Sequence, residues 1–227
     1  DKELSKQEST VIAWIWARTV PSPDPAFSQT QVPLISSALL SSKKGKEVWL
    51  ELIVDKVLKK ISYKIHKGGT QEELQRAKLG TSAGKRQAFK CILSGSAITY
   101  DYIRQAGKKS QMGHKLIAIV AEGKNGRIYS EPDIKHENIA LSAVSSWRPN
   151  TLLPKNPRDF KTPNYGLTEI GDLFSERQLI TLDTFSSIIP QVIKKIIDDY
   201  ENGCSVDIDF NIREYANSVA TYLTFIV

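Results

Sequence analysis

STVIAWIWARTV (residues 9–20), running into PSPDPAFSQTQVPL (residues 21–34), is the stretch on which the architecture turns. The first part is apolar, β-branched and aromatic, and Pro21 ends it, which is the pattern of a buried strand. The second part places Pro23 and Pro25 between Ser22 and Phe27 and continues into a β-prone run. That is the shape of a metal knuckle, but a knuckle carries thiolates at its shoulders, and Ser22 and Phe27 stand there instead.

Moving outward, VPLISSALL (residues 32–40) and EVWLELIV (residues 47–54) flank the polar, Gly-containing SSKKGK and predict a hairpin. KKISYKIHK (residues 59–67) alternates apolar and polar positions as a half-exposed strand should. A basic, Gly-rich loop is expected over residues 68–87, with one helical turn around Glu72–Ala77. AFKCILSGSAIT (residues 88–99) reads as a strand and turn, and KLIAIVAEG with GRIYSEP (residues 115–132) as a second hairpin. The first portion, residues 1–133, is therefore expected to be mostly antiparallel β.

The character then changes. Residues 134–146 can form a helix, and four prolines in residues 147–166 predict an extended connector. Ser175 and Gln178 have capping-box spacing and open a helix whose apolar face includes Leu179, Leu182, Phe185, Ile189 and Val192. Pro190 is expected to kink or split it. Residues 202–210 read as a loop or short strand, and an amphipathic helix follows from about Ile212. That last helix runs to Val227 still apolar and uncapped, as expected of a segment whose chain once ran onward. The expected fold class is α+β, with residues 134–166 joining the β-rich part to a helical region over residues 167–227.

The 227 residues suffice for a real core, and the 41% apolar and 25% charged fractions are those of ordinary globular proteins. The longest apolar runs, such as Val11–Ala17 and Leu116–Ala121, are too short to cross a bilayer. The N-terminal DKELSKQEST has no apolar signal region, and two cysteines, Cys91 and Cys204, make no disulfide framework. A cytoplasmic protein is the expectation. Between Lys43 and Arg127 lie 19 Lys/Arg and 7 Asp/Glu, a net of +12 that leaves −6 for the rest of a chain totalling +6. A basic middle between acidic flanks suits a surface that faces nucleic acid, and it suits lysine-rich loops around a β domain equally well.

Motifs for catalysis are wanting. GTSAGKR (residues 80–86) has three residues between its glycines where a phosphate loop needs four, and Arg86 replaces the magnesium-binding Ser/Thr. TPNYG (residues 162–166) is like the tetrapeptide of amino-group methyltransferases, but Asn164 holds its second proline position and a polar stretch precedes it. A rigid turn presenting Asn164 and Tyr165 fits better. His66, His114 and His136 are widely separated, each without a partner at ligand spacing.

Taken together, VIAWIWARTV, VPLISS with LSSKKGKEVWLE, MGHKLIAIVAEGKNGRIY, residues 147–186 and YANSVATYLTFIV resemble the middle region of adenine-specific DNA methylases that contain a zinc-ribbon insertion. The resemblance covers nearly the whole chain in order. It would place the chain after the family's cofactor-binding Gly motif and before its Asp-Pro-Pro-Tyr catalytic motif, neither of which occurs here. The family's knuckles, Cys-Pro-x-Pro-x-Cys and Cys-x-x-Cys-Gly, correspond to Ser22 and Phe27, then Cys91 and Ser94 before Gly95. The resemblance thus implies a degenerate ribbon that binds no metal, with hydrophobic packing (Phe27 as a plug) in place of zinc.

It also implies an accessory region that is itself non-catalytic and holds or reads DNA. The whole methylase would use S-adenosylmethionine to methylate adenine, and the segment would bind no cofactor. Lys85, Arg86, Lys108 and Lys109 are the expected phosphate contacts, with Arg158, Lys161, Asn164 and Tyr165 nearer the bases. The implied partners are DNA and the remainder of the methylase chain, and no membrane. The alternative is a non-catalytic scaffold for protein–protein packing.

Overall fold

Four antiparallel strands form the main sheet of the computed structural model. The structure describes residues 9–84, 88–124, 126–156, 158–203 and 211–226. The chain divides into two compact units, one of residues 1–141 and 154–168, the other of residues 142–153 and 169–227. It is an α+β protein, with an antiparallel β N-terminal portion and a helical C-terminal part.

In the main sheet of the first unit, β1 (Val11–Pro21) lies between β2 (Gln31–Leu34) and β8 (Gly113–Gly123), and β9 (Gly126–Ser130) closes the other side through a hairpin with β8. The centre of β8 is buried, at every position from Leu116 to Ala121. The first half of β1 instead shows one face to solvent: Ile12 is 46% and Trp14 48% exposed. The Trp14 indole N–H donates to His136 Nδ1 at 3.0 Å. Only the end of β1, Ala17 and Thr19–Val20, is buried as expected of the whole.

β3 (Leu39–Ser41), β4 (Val48–Asp55) and β5 (Lys60–Lys67) make a second antiparallel sheet. The expected hairpin around SSKKGK is therefore present, but residues 32–40 are not one strand. Their first half is β2, paired to β1 with Pro33 opposite Thr19. Pro33 can sit there because β2 is an edge strand, where a missing N–H costs no ladder bond on the open side. Helix α1 (Gln71–Leu79) is longer than the single turn expected. A capping box starts it: Glu73 N–H donates to Thr70 Oγ1 at 3.2 Å and Thr70 N–H to Glu73 Oε2 at 2.7 Å.

Residues 88–99 fold as a small hairpin of β6 (Phe89–Lys90) and β7 (Ala97–Ile98). It leads into α2 (Tyr100–Lys108), which Thr99 caps by accepting from Tyr102 N–H at 3.1 Å. Helix α3 (Ile134–Leu141) follows β9 in this unit. Two buried clusters hold it together. One gathers Val20, Val32, Cys91, Leu93, Ile98 and Ile103; the other gathers Ala17, Ile35, Leu50, Tyr63 and Ile117.

The second unit is built on α4 (Glu176–Gly203) and α5 (Ile212–Thr224), which pack on each other. The expected box opens α4, with Ser175 N–H donating to Gln178 Oε1 at 2.8 Å. Pro190 does not split α4. It removes one N–H and crowds the carbonyl four residues back, but about three and a half turns of helix on either side outlast that local loss. Before α4, Arg148 pairs with Asp172 and, at 3.7 Å, with Glu176. The loop or strand expected over residues 202–210, with Cys204, lies largely outside the described residues.

Candidate functional site

The four degenerate knuckle positions fall on two turns whose key side chains meet. Ser22 follows β1 directly and is buried, and its Oγ shares a hydrogen bond with the buried Cys91 Sγ at 3.3 Å. The first turn is closed by Ser22 N–H donating to Thr30 O at 2.9 Å, and Asp24 N–H donates to Ser22 Oγ at 3.3 Å. Asp24 also caps the short 3₁₀ helix Pro25–Phe27 by accepting from Ala26 N–H. The second turn lies between β6 and β7. Cys91 N–H donates to Ser96 O at 2.8 Å, Gly95 N–H donates to Cys91 O at 2.7 Å, and Ser94 Oγ donates to Ser96 Oγ at 3.0 Å.

Burial pushes the Cys91 thiol up, yet it ends below the ordinary thiol range. Hydrogen bonds from Ser22, from the Ser94 side chain and from the amides of Ser94 and Leu93 together outweigh burial. Phe27 is half-buried against the cluster that contains Cys91, and Lys59 Nζ lies 5.9 Å over its ring. A hydroxyl and a thiol thus meet between the turns, and the Phe27 ring packs on the same buried cluster. Among the described residues no group of three or more His, Cys, Asp or Glu could hold a metal ion.

Of the expected phosphate contacts, Lys85 and Arg86 lie outside the described residues. Lys108 ends α2 and Lys109 caps it, its N–H donating to Gln105 O at 3.1 Å. The fold brings these lysines beside the 3₁₀ helix Thr162–Tyr165, more than fifty residues away in sequence. The approach is through bare backbone: a Cβ on Gly107 would stand 2.0 Å from Tyr165 O, and one on Gly166 would stand 2.4 Å from Gly107 O. Lys108, Lys109, Lys161, Asn164 and Tyr165 therefore share one region. Tyr165 is half-buried against the core with the Arg104 guanidinium 5.7 Å over its ring, so its ring is committed to packing. Asn164 N–H donates to Lys161 O at 3.0 Å. Arg158 is 92% exposed on its side chain and stands 3.6 Å from Asp159. A cavity of about 380 Å³ lined by Arg18, Met112, Asp159, Lys161, Tyr165 and Leu167 adjoins this region.

No local pattern in the sequence announces a larger groove in the first unit, about 960 Å³, lined by Lys59, Lys60, Tyr63, Lys115 and Glu137 among others. Glu137 is only 4% exposed, and it accepts from Lys115 Nζ at 2.7 Å and from Leu116 N–H at 3.1 Å. These bonds tie α3 to β8 and give each oxygen of the buried carboxylate a partner. Burial, and then the Glu137 charge, push the Tyr63 hydroxyl well above its ordinary range. The histidines stay apart: His66 stacks on Trp49 at 4.4 Å and bonds Glu51 at 2.7 Å, while His136 accepts from Trp14.

These features define the class: an α+β protein whose β unit brings the turn at Ser22 against the turn at Cys91 and whose Lys43–Arg127 stretch is net basic. No family model, curated protein or solved structure matches the chain. No helix among the described residues is long and apolar enough to cross a membrane.

Proposed function

We propose that the chain is an accessory, DNA-holding region of an S-adenosylmethionine-dependent adenine-specific DNA methyltransferase, and that it is not catalytic itself. The observation that carries this is the meeting of Ser22 and Cys91 at 3.3 Å on two turns, with Phe27 packed against the buried cluster that contains Cys91. Positions 22, 27, 91 and 94 are where the resembled family places its ribbon thiolates, and the two pairs are far apart in sequence. Their spatial convergence supports the resemblance, and the +12 segment between Lys43 and Arg127 supports DNA as the ligand. A clamp outside the catalytic core suits an enzyme that must draw its target base out of the duplex.

The test is fluorescence anisotropy with labelled duplexes of unrelated sequence over a range of salt. Weak binding, independent of sequence and falling steeply with salt, is expected. A folded chain that binds no duplex even at low salt would overturn the reading. Calorimetric titration with S-adenosylmethionine should give no heat, because the Gly-rich turn that would cradle the cofactor is not in this sequence. A scaffold is the second reading, favoured by Phe185, Tyr222, Phe225 and Ile226, all exposed on or beside α4 and α5.

A further inference from the structure

A cleft of about 640 Å³ opens in the first unit between the β3–β4 turn, the end of β5 and β9. Lys43 and Lys46 come from the turn, Lys67 from the last position of β5, and Arg127 from β9. None of the four belongs to the phosphate contacts expected from sequence. They are brought together by pairing: Val48 stands opposite Lys67 across β4–β5, and Gly123 opposite Gly126 across β8–β9. All four side chains are exposed. Glu47 is the only carboxylate among the described lining residues, and it accepts from Gly45 N–H at 3.1 Å.

The cleft has bare backbone between its cations. Gly45, Gly68 and Gly126 all line it with left-handed φ values of 73°, 70° and 121°. A Cβ at any of the three would meet nothing within 4 Å, so no side chain crowds the cleft at these points, although the N–H groups of Gly45 and Gly68 are already engaged by Glu47. Clustered cations are the equipment for phosphate oxygens, which both lysine and arginine bind by charge-assisted hydrogen bonds.

We propose that this cleft seats the phosphodiester backbone of duplex DNA, with Lys43, Lys46, Lys67 and Arg127 as the contacting cations. The inference rests on the DNA-holding reading above and names the surface that does the holding. It differs from the expected surface at Lys108, Lys109 and Lys161, so the two can be separated.

The experiment measures binding of a fluorescein-labelled duplex to the full chain at several salt concentrations, for three variants and the parent. K43A/K46A/K67A/R127A should lose roughly tenfold or more in affinity near physiological salt, and its log–log salt slope should flatten by about one per contact removed, up to about four. K43R/K46R/K67R, which keeps the charge, should hold the parent slope. K108A/K109A/K161A should change the slope less than the cleft variant. Melting temperatures of all variants should match the parent, because every altered side chain is exposed. If the cleft variant keeps the parent's affinity and slope while the parent binds DNA, the cleft proposal falls and the DNA reading stands. An affinity loss without a change of slope also overturns it, since the contact would not be ionic. If the parent binds no duplex, both fall together.

Discussion

The two units bury their apolar residues very differently. The β unit places two clusters inside, with Val20, Val32, Cys91, Ile98 and Leu116 fully buried. In the helical unit only Leu179, Ala216 and Ala220 are buried among the apolar residues described, while Phe185, Ile188, Tyr215, Tyr222, Phe225 and Ile226 are exposed. The units also differ in where charge falls: the basic excess belongs to the stretch that builds the β unit, whereas the rest of the chain is net acidic. Strands bring residues distant in sequence onto two faces of a sheet, so a unit of this size can close a core. A pair of helices offers each other one stripe and leaves the remainder uncovered.

The largest effect expected from that contrast concerns the knuckle turns. With Cys91 in place, the variant S22C/F27C/S94C would set four thiols on two facing turns. Without metal it should be less stable than the parent, having lost the Phe27 packing. Added zinc should raise the melting temperature of the β unit by many degrees, since structural zinc sites contribute folding free energy directly, about 10–16 kcal/mol of apparent binding in small peptides. Melting with and without zinc, alongside elemental analysis, reads this out. A variant that folds and takes up no zinc would show that the four positions do not form a knuckle pair.

An intermediate effect sharpens the difference in burial. Leu93 is 1% exposed in the β unit and Phe225 is 81% exposed beside α5. Leu93→Ala should cost about 2–5 kcal/mol in denaturant unfolding, through lost transfer energy and a cavity. Phe225→Ala should change stability by less than about 0.5 kcal/mol. Equal losses from the two would break the contrast, because they would mean that Phe225 is covered in solution.

The smallest effect is a pH dependence confined to the β unit. Tyr63 ionises at higher pH in the folded chain than when unfolded, because burial and the Glu137 charge oppose a phenolate. Its contribution is fully present below the unfolded value of about 10 and declines as pH rises above it, since the unfolded chain then loses its proton first. Tyr63→Phe should flatten the alkaline limb of a stability–pH curve and leave the neutral region nearly level. An unchanged alkaline limb would show that Tyr63 does not govern it.

Periodicity and caps make much of the fold legible in the sequence. The alternation in residues 59–67 corresponds to β5, the apolar run at Leu116–Ala121 to the buried β8, and the Ser175/Gln178 spacing to the start of α4. Helix α2 is poorly marked because its nine residues follow a strand-like run and include Gly107 near their end, so only the Thr99 cap signals it. The candidate surfaces are less legible. Lys43, Lys67 and Arg127 belong to different strands and turns, and nothing in their local pattern distinguishes them from solvated lysines and arginines elsewhere. Glu137 reads locally as an ordinary helix carboxylate, and only the fold sets Lys115 and Leu116 against it.

By itself the sequence determined the local elements, the change from β to helical character and the charge imbalance, because each depends on residues close together in the chain. Tertiary structure alone decided that residues 32–40 serve two sheets, that Ser22 reaches Cys91, and that Gly107 lets α2 touch Tyr165. Those outcomes depend on contacts between residues far apart in the chain. Such contacts form only when strand pairing and core packing repay the entropy of closing the intervening loops, and no local pattern encodes that balance.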